Sequence, residues 1–83
     1  MTRDKITMYG TQWCIDCFRA KEFFARYEVS YRWVDVDQDE SGLKVVTEVN
    51  RGLRTVPTIV FEDGSILIEP SDAELATKLG IAT

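Results

Sequence analysis

The chain has 83 residues, with 14 acidic and 10 basic side chains, a formal net charge of −4 and no histidine. Its length predicts one small domain over residues 1–83, and its hydrophobic fraction of 45% indicates a folded protein. The absence of a basic block argues against nucleic-acid binding. The absence of histidine excludes hydrolases that activate serine or cysteine with an imidazole base.

The N-terminal segment, Met1-Thr2-Arg3-Asp4-Lys5, has no hydrophobic targeting region. No apolar run approaches the roughly 18 residues that a membrane-spanning helix needs. We therefore expect a cytoplasmic protein with no membrane partner, and we expect it to be a monomer.

The first two-thirds of the chain predict two strand–helix units. An apolar strand over residues 6–9 ends at Gly10, and the helix that follows has an apolar face formed by Ala20, Phe23, Phe24 and Tyr27. A second strand is predicted over residues 29–36. The second helix has Leu43, Val46 and Val49 on its apolar side and is predicted to end near Gly52.

The last third predicts a hairpin and a third helix. Strands over residues 58–61 and 66–68 are separated by the turn sequence Glu62-Asp63-Gly64-Ser65. Ser71 and Glu74 have the spacing of a capping box, and Gly80 is placed to end the helix. The order β-α-β-α-β-β-α predicts an α/β fold whose sheet has a parallel portion and an antiparallel hairpin.

The motif Trp13-Cys14-Ile15-Asp16-Cys17 lies at the predicted turn between the first strand and the first helix. Unpaired backbone N–H groups and the positive end of the helix dipole favour a thiolate there. A disulfide across so short a segment removes little chain entropy, so a redox role explains the pair better than a structural staple. Cys14 is predicted to be the exposed nucleophile, and Cys17, one turn further, the resolving thiol.

Other polar side chains have plainer interpretations. Two cysteines without histidine cannot complete a four-ligand zinc site within one chain, so no metal site is expected. Four acidic residues cluster at the end of the second predicted strand, and we interpret them as a solvated turn with a helix cap, with metal binding as the alternative. These residues are Asp35, Asp37, Asp39 and Glu40. Arg19 and Lys21 are predicted to lie on a solvated helix surface, with attraction of substrate as the alternative.

Three blocks of sequence resemble the glutaredoxin family of the thioredoxin fold, and within it the mycoredoxins of actinobacteria. The blocks are Trp13-Cys14-Ile15-Asp16-Cys17-Phe18-Arg19-Ala20-Lys21, Asn50-Arg51-Gly52-Leu53-Arg54-Thr55-Val56-Pro57-Thr58 and Phe61-Glu62-Asp63-Gly64-Ser65. The resemblance implies a minimal thioredoxin fold with a mixed four-stranded sheet and three helices. It also implies that Pro57 follows a cis peptide bond and that the Val56 backbone lies beside the active sulfur.

The resemblance further implies which residues bind substrate and which thiol is used. The implied substrate-binding residues are Thr55, Val56, Pro57, Ser71 and Asp72. Trp13 and Arg54 are further substrate-binding candidates because they adjoin Cys14 and the proline loop, with the alternatives that Trp13 covers the sheet edge and that Arg54 is a solvated surface residue. Glutathione-dependent glutaredoxins usually have a Gly-Gly pair before the acidic residue of the last helix, whereas this chain has Ile68-Glu69-Pro70. This favours mycothiol over glutathione as co-substrate, with no bound cofactor.

The function expected on these grounds is reduction of mixed disulfides between proteins and a low-molecular-weight thiol. The expected partners are disulfide-bearing or thiol-modified proteins, the small thiol and its reductase system. One rival function is that of a dithiol electron donor that thioredoxin reductase reduces directly. A second is that of a carrier of an iron–sulfur cluster held between two subunits, and a third is that of a structural domain with an inert cysteine pair.

Overall fold

The computed structural model describes residues 6–82, so the predicted lack of a targeting region in residues 1–5 lies outside the described residues. The elements are β1 (Thr7–Gly10), α1 (Ile15–Arg26), β2 (Arg32–Asp35), α2 (Glu40–Val49), β3 (Thr58–Val60), β4 (Ile66–Ile68) and α3 (Asp72–Leu79). The predicted order is confirmed. Within the described part of the chain, no helix is both long and apolar enough to cross a membrane.

The four strands form one mixed sheet in the order β2-β1-β3-β4. β1 lies parallel to β2, with Met8 opposite Trp33, and antiparallel to β3, with Met8 opposite Ile59. β3 and β4 form the predicted antiparallel hairpin, in which Ile59 faces Leu67. The sheet is therefore the mixed one that the resemblance implied, and the carboxyl ends of β1 and β2 meet at one edge.

The main core lies between one face of the sheet and helices α1 and α3. Its buried residues are Ile6, Met8, Ala20, Phe23, Phe24, Ile59, Phe61, Leu75 and Ala76. The Phe24 ring lies 4.9 Å from the Tyr31 ring, and Tyr27 also packs against this cluster. The predicted apolar face of the first helix is thus confirmed.

Helix α2 packs on the other face of the sheet. Successive strand residues point to opposite faces, so Tyr9 lies on the side opposite Met8. A Cβ atom on Gly42 would lie 2.5 Å from a methyl carbon of Val34 and 3.5 Å from the Tyr9 ring. Gly42 therefore allows α2 to approach the sheet closely.

The helix ends follow local side-chain chemistry. Ser71 and Glu74 form the predicted capping box, and Gly80 ends α3 with φ of 69°. Helix α2 ends at Val49, and Gly52 belongs to its C-terminal cap as predicted, with φ of 90° and its N–H donating to the Thr47 carbonyl at 2.7 Å. The Asn50 side chain adds to this cap, because it donates to the Val46 carbonyl at 2.8 Å and to the Thr58 hydroxyl at 3.1 Å.

Candidate active site

Cys14 is the N-cap residue of α1, where the sequence predicts it. Its backbone is extended, with φ of −87° and ψ of 118°, and its sulfur accepts a hydrogen bond from the Cys17 backbone N–H at 3.2 Å. The side chain is partly exposed. The sulfur is thus reachable and faces the unpaired N–H groups that begin a helix.

The Cys14 sulfur also faces the loop that leads into β3. Its S–H group donates to the Val56 carbonyl oxygen at 3.8 Å, and the bond between Val56 and Pro57 is cis. The Thr55 carbonyl accepts a hydrogen bond from the Thr58 hydroxyl at 2.8 Å, which closes the turn around the proline. The cis bond and the position of Val56 agree with what the resemblance implied.

Cys17 occupies a packed niche on the inner side of the same helical turn. Its side chain is 1% exposed. A Cβ atom on Gly10 would lie 2.5 Å from the Cys17 sulfur and 2.8 Å from the Trp33 ring. The ammonium of Lys21 lies 3.5 Å from the centre of the Trp33 ring, in cation–π contact. Position 10 therefore requires glycine, because the Cys17 sulfur and the Trp33 ring approach its backbone too closely for any side chain.

The niche keeps the Cys17 thiol protonated. Burial, followed by the hydrogen bond to Cys14 and the Cys14 charge, raises the pKa of Cys17 to about 12. A hydrogen bond from the Thr11 backbone and the charge of Lys21 act in the opposite direction. Because the raising effects dominate, Cys17 holds its proton at neutral pH.

Asp37 connects the two segments that flank Cys14. Its Oδ2 atom accepts a hydrogen bond from the Trp13 indole N–H at 2.9 Å, and its Oδ1 atom accepts one from the Arg54 guanidinium at 2.8 Å. Trp13 and Arg54, both substrate-binding candidates from the sequence, are thus brought together through a third residue. From the sequence, Asp37 is expected only in a solvated turn. The one sequence signal for its role is its position just after β2, at the edge of the predicted sheet where the cysteine motif also lies.

A shallow pocket lies between these segments. It has a volume of about 230 Å³ and is lined by Thr11, Trp13, Val36, Arg54 and Val56. Three of these five residues, Trp13, Arg54 and Val56, are substrate-binding candidates from the sequence analysis. Val56 links the pocket to the reactive cysteine, because its carbonyl oxygen also meets the Cys14 sulfur.

Ser71 and Asp72 lie on the far side of the proline turn. The Glu69 backbone N–H donates to the Pro57 carbonyl at 2.9 Å, and α3 begins three residues later. Ser71 is engaged in the helix cap, where its hydroxyl accepts from the Glu74 N–H at 3.1 Å. The fold therefore places the start of α3 beside the proline turn.

The surface around Cys14 is apolar, with local charges that pair. Ile15 is 82% exposed and Phe18 is 63% exposed. The Asp16 carboxylate forms an ion pair with Arg19 at 2.8 Å, which offsets the negative charge placed between the two cysteines. Within residues 6–82, no group of three cysteine or acidic side chains could hold a metal ion.

Comparisons with known proteins agree with this arrangement. The glutaredoxin family model matches residues 6–66. A Mycobacterium tuberculosis protein assigned by name to the glutaredoxins is 40% identical over 74 residues, which cover 89% of this chain and 88% of the relative. Mycoredoxin 1 of Corynebacterium glutamicum is 38% identical over 74 residues, which cover 89% and 91%.

Solved structures show the same fold. A mutant form of the thioredoxin-like protein BC3987 is similar with a TM-score of 0.83 and 25% identity, over 96% of this chain and 100% of that one. The glutaredoxin of Archaeoglobus fulgidus has a TM-score of 0.73 and 26% identity, over 92% and 86%. The match to the family model and the identity to its members lead to one conclusion: the chain belongs to the glutaredoxin family of thiol–disulfide oxidoreductases.

Proposed function

We propose that this glutaredoxin reduces mixed disulfides between proteins and a low-molecular-weight thiol, with mycothiol as the preferred thiol. Cys14 is the nucleophile and Cys17 is the resolving thiol. The supporting observation is the contrast between the two sulfurs. Cys14 is partly exposed and lies 3.8 Å from the Val56 carbonyl oxygen, whereas Cys17 is 1% exposed and has a pKa of about 12.

In the first step, the Cys14 thiolate attacks the small-thiol sulfur of the mixed disulfide. A disulfide forms between Cys14 and the small thiol while the original disulfide breaks. The protein thiolate leaves and takes a proton from water. The protein substrate is thereby restored.

The second step frees Cys14. A second small-thiol thiolate attacks the small-thiol sulfur bound to Cys14, which gives a symmetric small-thiol disulfide and returns the Cys14 thiolate. The reductase of the small-thiol system then supplies the two electrons. In the dithiol route, Cys17 instead loses its proton and attacks Cys14, which expels the small thiol and forms the Cys14–Cys17 disulfide.

The proposed binding groove runs past the Cys14 sulfur between the N-terminus of α1 and the proline turn. The Val56 backbone pairs with an extended substrate as a neighbouring strand would. The remaining proposed substrate-binding residues are Trp13, Arg54, Thr55 and Pro57 around the turn, and Ser71 and Asp72 at the start of α3. Ser71 and Asp72 receive the end of the substrate that lies beyond the turn.

Two observations support mycothiol. The relative from Corynebacterium glutamicum carries the name mycoredoxin 1. The segment before α3 is Ile68-Glu69-Pro70, without the Gly-Gly pair usual in glutathione-dependent glutaredoxins. We further propose that residues 1–83 act as one domain in the cytoplasm, where a reducing environment keeps both thiols available.

The test is a coupled assay on one peptide that carries a mixed disulfide. Consumption of NADPH is followed with three electron supplies, which are mycothiol with its reductase, glutathione with its reductase, and thioredoxin reductase alone. The proposal predicts the fastest turnover with mycothiol. Turnover with thioredoxin reductase alone would identify a dithiol donor and overturn the proposal.

A separate preparation distinguishes the proposed enzyme from an iron–sulfur carrier and from a domain with an inert cysteine pair. The protein purified without oxygen is expected to be colourless. A brown protein with visible absorbance would indicate an iron–sulfur carrier. No turnover with any supply, together with slow alkylation at neutral pH, would indicate an inert pair.

A further inference from the structure

Asp37 bridges Trp13 and Arg54, two of the residues proposed to line the substrate groove. It lies two residues after the end of β2, at the carboxyl edge of the parallel pair of strands, and its own backbone N–H donates to the Asp35 carboxylate at 2.9 Å. The side chain is 31% exposed. Each of its two oxygens accepts one hydrogen bond, one from Trp13 and one from Arg54.

These two partners belong to the two segments that contain or contact the reactive sulfur. Trp13 directly precedes Cys14, and Arg54 directly precedes the Thr55-Val56-Pro57 turn. The pocket of about 230 Å³ between them is lined by both residues. Asp37 does not contact either sulfur through a hydrogen bond, so it acts on the groove through Trp13 and Arg54.

The contact with Asp37 changes what Arg54 offers to a ligand. An exposed guanidinium beside a groove would attract a carboxylate, because the two form strong paired hydrogen bonds. Here the Arg54 guanidinium already forms an ion pair with Asp37 at 2.8 Å. Asp35 and Asp39 lie two residues to either side and add negative charge to the same turn. A ligand carboxylate therefore meets a neutralised cation, whereas uncharged hydroxyl groups can still accept from the remaining N–H groups of Arg54.

We propose that Asp37 is a specificity-determining residue that disfavours thiol compounds with a carboxylate at this end of the groove and so favours uncharged ones. The inference rests on the proposed function, because it concerns which small thiol reaches Cys14. It assigns a role to a carboxylate that the proposed reaction itself does not use.

The first test needs no turnover. Iodoacetate and iodoacetamide both alkylate a thiolate, but only iodoacetate carries a carboxylate. The ratio of their rate constants at Cys14 is measured for the native protein and for Asp37→Asn, which keeps the side-chain size but removes the charge. We expect Asp37→Asn to raise the ratio in favour of iodoacetate by about fivefold, the effect of one exposed ion pair. The gain should shrink at about 1 M salt, where the screening length is about 3 Å.

Two control variants separate the local contact from general charge. Asp63→Asn removes the same charge from an ion pair with Lys78, in the turn at the opposite end of β3 from Pro57, and should leave the ratio unchanged. Arg54→Gln added to Asp37→Asn should return the ratio towards the native value. An unchanged ratio in Asp37→Asn, or an equal change in Asp63→Asn, overturns the inference. Asp37→Ser provides a second variant if Asp37→Asn unfolds.

The second test uses substrates. One peptide is linked through a disulfide to glutathione or to glutathione diethyl ester, which has the same skeleton without free carboxylates. Asp37→Asn should raise kcat/KM for the glutathione peptide by about fivefold and leave the value for the ester peptide nearly unchanged. Equal changes for both peptides overturn the inference. Absence of turnover on a peptide linked to mycothiol by the native protein counts against the proposed function, while the alkylation ratio still decides the role of Asp37.

Discussion

The surroundings of Cys14 and Cys17 differ although the two residues are three positions apart. Around Cys14, the side chains of Trp13, Ile15 and Phe18 are all more than half exposed. Around Cys17, which is 1% exposed, a Cβ atom on Gly10 would overlap both the Cys17 sulfur and the Trp33 ring. The difference comes from helix geometry, because the N-cap residue lies outside the first turn while the third helical residue points towards the sheet.

This difference has a chemical consequence for the two proposed routes. Attack by Cys14 requires an accessible thiolate, and the helix terminus provides both the access and the backbone N–H groups that favour the thiolate. Closure by Cys17 requires a buried thiol to lose its proton, and burial holds the pKa of Cys17 at about 12. The two steps should therefore respond to different substitutions.

The largest expected effect comes from replacing each cysteine in turn. Cys14→Ser should abolish reduction of the mixed disulfide, because no other described thiol is exposed. Cys17→Ser should retain activity with the small thiol, since a second molecule of the small thiol can release Cys14 without the Cys17 thiol. The measurement is the coupled assay at a saturating concentration of small thiol. Equal loss in both variants would mean that the dithiol route is obligatory. The two cysteines would then be needed together in every turnover.

The surroundings of Cys14 can be predicted from the sequence because they depend on residues that are close together in the chain. The strand, the Gly10 turn and the apolar face of α1 lie within residues 6–27, so their pattern places Cys14 at the helix terminus. The capping box at Ser71 and Glu74 is local in the same way. The cis bond before Pro57 follows from the family resemblance and not from any pattern of residues.

The contacts that complete the site cannot be predicted in this way. Asp37 meets Trp13 across 24 residues and Arg54 across 17 residues, and both contacts depend on the strand order. The sequence predicts Lys21 on a solvated helix surface, yet it lies over the Trp33 ring. Trp33 belongs to β2, so this contact also depends on which strand neighbours β1. The periodicity of apolar residues predicts which face of a helix or strand is buried, but it does not predict which element packs against that face.

The next largest effect is expected in the niche, from Gly10→Ala. The added Cβ atom would lie 2.5 Å from the Cys17 sulfur and 2.8 Å from the Trp33 ring, so one of them must move. Overpacking of this kind lowers the free energy of unfolding by about 1–3 kcal/mol. Urea unfolding of the reduced protein measures the loss. Alkylation of Cys14 should change little, because its sulfur lies outside the niche.

The Cys17→Ala background provides the control for Gly10→Ala. Removing the sulfur relieves one of the two close contacts, so the loss of stability should be smaller by at least about 0.5 kcal/mol. If the loss were the same in both backgrounds, the tight contact between Gly10 and Cys17 would not exist in solution. The two cysteines would then differ less than the structure indicates.

The smallest effect is the contribution of the buried Cys17 thiol to the dependence of stability on pH. The pKa of Cys17 is raised from its ordinary value of 9.0 to about 12 in the folded protein. Between these values the unfolded chain loses the proton while the folded protein keeps it. The contribution to stability is therefore complete below pH 9 and is lost as pH rises towards 12. Between about pH 8 and pH 10, the free energy of unfolding of the reduced protein should fall by about 1 kcal/mol on this account.

Comparison with Cys17→Ala isolates this contribution. Burial also raises the pKa of Tyr31, so the native protein has a second group that titrates in the alkaline range with the same sign. Tyr31 is present in both proteins, and its contribution cancels when the two pH dependences are subtracted. Urea unfolding at about pH 8 and pH 10 should therefore show a steeper decline for the native protein than for Cys17→Ala. Parallel declines would show that the Cys17 thiol is hydrated in solution, and the contrast between the two sulfurs would then have to be explained by exposure of Cys14 alone.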